Sequence, residues 1–139
     1  MLKSWSEISG ESNLLLGIMI VPSKPRVLIE YAKQRSNFRL SKTLRDFLQK
    51  GVALEARIIK QAQDAGIPVE SAIGPLLKAK ELAEQKELPL YRAGDSHPNA
   101  LGYRAYAQAA LNLIRRSCDG HKDNLICAQS LARWAEPDQ

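Results

Sequence analysis

Leu14-Leu15-Leu16-Gly17-Ile18-Met19-Ile20-Val21 is a run of eight residues without a polar side chain, closed by Pro22. Eight residues are short for a buried helix but ample for a strand. With no polar alternation, both faces of that strand must be covered. Such strands belong to parallel sheets with helices on their faces, so the rest of the chain has to supply helices and a crossover back to a second strand.

The downstream sequence does this in order. Pro25 starts a short helix through Arg26 to Lys33, and residues 34–40 form a polar connection. Ser41 is the N-cap of the longest helical pattern, Lys42 to Ala65. There Leu44, Phe47, Leu48, Val52, Ile58, Ile59 and Ala62 recur at helical spacing, with Gly51 a weak point. Gly66 stops that helix and Ile67-Pro68-Val69 reads as a short strand, the return half of a βαβ crossover. Gly74-Pro75 opens a helix over Leu76 to Lys86, and Leu88 to Tyr91 is extended. A last helix, Ala100 to Arg116, offers Tyr103, Tyr106, Ala107, Ala110, Leu113 and Ile114 to the core. The expected fold is α/β, a small, mostly parallel sheet flanked by helices over residues 14–116. Residues 1–13 lead into it, and 117–139 form a polar tail with one short helix.

Charge and cysteines exclude more than they assign. The net charge of +5 is spread without a like-charge run, and aromatics are 6% of residues, so little is available to stack on bases. The surface reads as solvated, with no nucleic-acid partner. No stretch spans a bilayer and none has the form of a signal peptide, so the chain as written reads as soluble and unexported. Cys118 and Cys127 are too few for a disulfide framework. With His121 they match no zinc spacing, and neither metal nor cofactor is expected.

The chemistry concentrates in Gly94-Asp95-Ser96-His97-Pro98-Asn99-Ala100-Leu101-Gly102-Tyr103. Pro98 pushes His97 toward an extended conformation, and Asn99 is placed to cap the last helix. Asp95 and His97 thus share a loop at a helix start. An imidazole is the natural general base near neutral pH, and a carboxylate beside it fixes its tautomer. The other reading is structural, with Asp95, Ser96 and Asn99 as turn and cap residues and His97 half-exposed.

This block, followed by an alanine-rich helix, resembles the Asp/His block of the SGNH (GDSL-like) hydrolase superfamily. Val21-Pro22-Ser23-Lys24 and Ala65-Gly66-Ile67-Pro68-Val69 upstream fit the same order. The resemblance implies a flavodoxin-like three-layer fold and an ester or acetylated-carbohydrate substrate. It implies hydrolysis or acyl transfer, with His97 as base and Asp95 as its orienting partner. Two features depart from the pattern. Asp95 and His97 are two positions apart where many members have three. No serine occupies a nucleophile block either: Ser96 lies between its own partners, and Ser9, Ser12 and Ser117 lack a strand–turn–helix setting. The resemblance therefore implies an incomplete domain, inactive alone, whose serine block lies before Met1 or after Gln139. The alternative is a small non-catalytic α/β protein that binds a protein partner, or itself, through an exposed strand.

Overall fold

The computed structural model describes residues 15–35 and 39–119, together with Glu7 and Cys127. The elements are β1 (Ile18–Ile20), α1 (Lys24–Arg35), α2 (Lys42–Asp64), β2 (Val69–Ser71), α3 (Ile73–Gln85) and α4 (Ala100–Asp119). The chain is mostly helical with one two-stranded parallel sheet, in the register Ile18↔Val69, Met19↔Glu70 and Ile20↔Ser71. Parallel neighbours need a long connection, and α1 and α2 provide it.

The second strand begins later than the expected Ile67, because the helix stop consumes that residue. Gly66 turns left-handed at φ +69°. Its N–H then bonds Gln63 O at 3.0 Å and the Ile67 N–H bonds Ala62 O at 2.9 Å, which satisfies the last free carbonyls of α2. Pro68 has no N–H to pair, but its carbonyl accepts from Ile18 N at 2.9 Å and sets the register. At the other end of α2, the Ser41 hydroxyl accepts from Leu44 N at 3.3 Å, as an N-cap should. Gly51 does not break this helix.

Full burial of β1 was expected and is not found. All three of its residues are half-buried and Val21 is 50% exposed, because among the described residues β1 pairs with one strand only. On α2 only Leu48 and Ala62 are buried, leaving Phe47, Val52 and Leu54 on the surface.

The core lies where α3 packs on α4, with Val27 of α1 added: Ala72, Leu76, Ala79, Ala83, Leu90, Ala105 and Ala109 are all buried. Here too the expected face shifts. α4 turns Gly102, Ala105 and Ala109 inward, while Tyr103 is 53% and Ile114 40% exposed. Small residues at that spacing let two helices approach closely, which rings would prevent. Ahead of β1, Gly17 passes α4 so tightly that a Cβ there would sit 3.0 Å from Leu113 Cγ.

Ion pairs trim the exterior. Arg35 joins Glu81 and Glu84 across α1 and α3, and Tyr31, packed beneath Lys80 and Arg35, donates to Glu84. Arg116 reaches from α4 to β2, pairing with Glu70 at 3.2 Å and donating to Val69 O at 3.3 Å. The last turn of α4 is held by a Cys118–Cys127 disulfide, although two cysteines are too few for a disulfide framework. Trp5, Trp134 and the short helix expected in the tail lie outside the described residues. Among the described residues no helix is long and apolar enough to cross a membrane.

Candidate active site on the loop between α3 and α4

The loop is pinched at its base. Asn99 N donates to Leu90 O at 2.7 Å, and Tyr91 and Pro98 form an isolated antiparallel bridge. Within it the chain reverses at Arg92–Asp95, where Asp95 N donates to Arg92 O at 3.3 Å. Gly94 occupies the third position of this turn at φ +73°, a conformation that costs glycine least. The reversal brings Asp95 back over His97.

Asp95 Oδ1 accepts twice from that residue: from its backbone N–H at 2.9 Å and from the ring Nδ1 at 2.8 Å. The first bond makes an Asx-type turn, and the second joins the two functional groups. The His97 backbone N–H, and after it the imidazole, hold the Asp95 carboxyl below the usual carboxylate range, against a smaller opposing effect of desolvation. The side chains are 46% and 75% exposed for Asp95 and His97, so the pair adds little to stability. It is open to a substrate.

The tautomer follows from the acceptor. An ionised carboxylate can only accept, so the neutral ring carries its proton on Nδ1 and leaves the Nε2 lone pair free to take one. That is the protonation state of a general base.

Asn99 fixes the loop to the helix behind it. Its Oδ1 accepts from Leu101 N at 2.9 Å and Gly102 N at 3.3 Å, while its Nδ2 donates to Pro89 O at 2.9 Å. Asn99→Ala removes all three bonds, and thermal denaturation should show a loss of about 1–2 kcal/mol. Asn99→Asp keeps the cap and loses only the tie to Pro89, so it should fall between the two.

Asp95 and His97 open onto a cleft of about 620 Å³ whose lining includes Ser23, Lys24, Tyr103 and Tyr106. Tyr103 and Tyr106 meet edge to face at 5.9 Å. They were expected to face the core, but Tyr103 faces the cleft because alanines take the inner side of α4. A larger concavity of about 740 Å³ lies between α1 and α2, lined by Arg26, Glu30, Arg39 and Arg45, away from the Asp95–His97 pair. It holds no histidine or cysteine and is the weaker candidate.

Two cleft residues, Ser23 and Lys24, enter the sequence pattern only as part of the Val21-Pro22-Ser23-Lys24 segment, with no role of their own. Ser23 is exposed at the turn between β1 and α1, a strand–turn–helix setting that Ser9, Ser12 and Ser117 lack in the sequence. Lys24 opens α1 and donates from Nζ to Arg92 O and to Asp95 O, each at 2.8 Å. A cation in the first turn of a helix was the available signal, since the dipole there favours anions. Cys118 and Cys127, weighed as metal ligands, are joined to each other, and His121 lies outside the described residues. Among the described residues no three His, Cys, Asp or Glu side chains converge as a metal site would require.

No family model, curated protein or solved structure matches the chain.

Proposed function

We propose that the chain is part of an SGNH-like hydrolase domain, with His97 and Asp95 as its acid–base pair. The reaction is hydrolysis of an ester or transfer of an acyl group, acetyl on a carbohydrate-type molecule. The observation that carries this reading is the 2.8 Å contact between His97 Nδ1 and Asp95 Oδ1 at the mouth of a cleft. In the reaction His97 Nε2 takes the proton of the attacking hydroxyl and returns it to the leaving oxygen, while Asp95 stabilises the imidazolium formed between those steps. The exposed Tyr103 ring supports a sugar as substrate, since such a ring offers an apolar face beside a polar tip. On this reading the nucleophilic serine and the oxyanion donors come from sequence outside these residues. The small sheet, with unpaired edges among the described residues, supports that.

The test pairs turnover with binding. The purified chain should hydrolyse p-nitrophenyl acetate no faster than its His97→Ala variant. A peracetylated methyl glucoside should nevertheless shift the NMR signals of His97 and Tyr103. Turnover that requires both His97 and Ser23 would keep the esterase and move the nucleophile into this chain. A folded chain that neither turns over nor binds the acetylated sugar overturns the reading.

A protein-binding module is the second reading. It is favoured by Val21, Phe47 and Leu54, which are 50%, 60% and 49% exposed. It makes no use of the Asp95–His97 contact.

A further inference from the structure

Lys24 stands where helix electrostatics disfavour it. It is the first residue of α1, a helix with no acidic residue in its first turn to offset it, and the free N–H groups there already carry partial positive charge. A residue that breaks a local rule needs a compensation elsewhere, and that place is informative. The Lys24 ammonium finds its partners 68 and 71 residues along the chain, in the carbonyls of Arg92 and Asp95, each at 2.8 Å. It also lies 5.7 Å from the centre of the Tyr91 ring, at the base of the same loop.

These contacts bracket the turn that carries the acid–base pair. Arg92 and Asp95 are the first and last residues of the reversal at Gly94, so one ammonium ties both ends of it to the start of α1. Asp95 and His97 are both substantially exposed, so little side-chain packing holds the pair in place. Hydrogen bonds to an ionised donor are the stronger kind and hold geometry well.

We propose that Lys24 is a positioning residue for the Asp95–His97 pair, its ammonium clamping the Arg92 and Asp95 carbonyls so that the carboxylate stays on the imidazole Nδ1. The proposal rests on the reading of that pair as the working site. Lys24 makes no side-chain bond to either reacting group; its hydrogen bonds act through the backbone, beside a small direct attraction for the Asp95 carboxylate.

Long-range proton–nitrogen NMR of the histidine rings tests this without requiring turnover. In the wild-type chain, at a pH where an imidazole is neutral, the Nδ1–H tautomer should dominate, and Asp95→Ala, which removes the Oδ1 acceptor, should abolish that bias. Lys24→Met, similar in length but uncharged, should lower the Nδ1–H to Nε2–H ratio by about tenfold, the effect of losing one charged hydrogen bond at the weak end of its range. Lys24→Arg, which can still donate to both carbonyls, should recover most of it. The amide signals of Leu76 and Ala109 in the core report in each variant that the fold is intact. A Lys24→Met chain with those signals unmoved and the tautomer bias retained overturns the positioning role. Were Lys24→Met to unfold, the tautomer would be read in Lys24→Gln, which is uncharged and too short to reach both carbonyls: a folded Gln variant with the bias lost supports the clamp, and one with the wild-type bias overturns it. Absence of the bias in the wild type would overturn the Asp95–His97 pair itself, a failure separate from that of the clamp.

Discussion

Gly102→Ala should destabilise the chain by about 3 kcal/mol, roughly 10 °C in melting temperature for a domain of this size. A Cβ at this position would lie 2.2 Å from Pro98 Cβ and 2.8 Å from its Cγ, with Leu90 Cδ1 at 3.4 Å. Neither Pro98 atom can swing aside. The ring is closed, its residue is buried, and the Tyr91–Pro98 bridge fixes the backbone on which it sits. The added methyl must therefore move the start of α4 away from the loop. Gly51→Ala supplies the control, because nothing lies within 4 Å of a Cβ there and the position is helical. That variant should gain up to about 1 kcal/mol from helix propensity alone. Pro98→Gly in the Gly102→Ala background removes the atoms the methyl meets and should recover part of the loss. Chemical denaturation of the four chains checks all three expectations, and an unperturbed Gly102→Ala would mean that Pro98 does not bear on α4 as described.

The same contact shows what the sequence could and could not reveal. Asn99 as a cap, Ser41 as a cap and Gly66 as a stop follow from local chemistry, and all three are found at the expected residues. The parallel pairing of the apolar run with the segment after Gly66 was also legible, because helix, glycine and short strand form a local pattern. The inward face of α4 was not. Choosing the large apolar residues selects Tyr103 and Ile114, whereas the close approach of α3 selects Gly102, Ala105 and Ala109. That choice depends on a partner far away in the chain. The sequence marks Lys24 as a cation at a helix start but not what it binds, since its acceptors are backbone carbonyls far along the chain. The juxtaposition of Asp95 and His97 was readable as spacing, but the bond between them required the left-handed turn at Gly94. The full burial expected of β1 failed because burial is a property of neighbours, and among the described residues this strand has one.

Reducing the Cys118–Cys127 disulfide should cost about 2.7 kcal/mol, the loop-closure entropy released when a cross-link over a separation of 9 is opened. Both sulfurs are buried, with each cysteine 1% exposed, so slow reduction under native conditions is expected and denaturation with and without a phosphine reductant is the cleaner measurement. The double variant Cys118→Ala with Cys127→Ala should match the reduced protein, because it opens the same loop without leaving thiols or hydroxyls buried. The loss should leave the loop at the other end of α4 in place. Asn99 and the Leu90 carbonyl hold that end independently, and the tautomer of His97 should be the same in oxidised and reduced chains. Stability and site geometry then separate along one helix: the C-terminal turn answers to redox state and the N-terminal turn to Asn99 and Gly102. Two cysteines that made no framework by count thereby link the stability of the fold to the redox state of its surroundings. A reductant that leaves the denaturation midpoint unchanged would show that the cross-link adds nothing to the folded state, and a His97 signal that moves on reduction would show that the two ends of α4 are coupled after all.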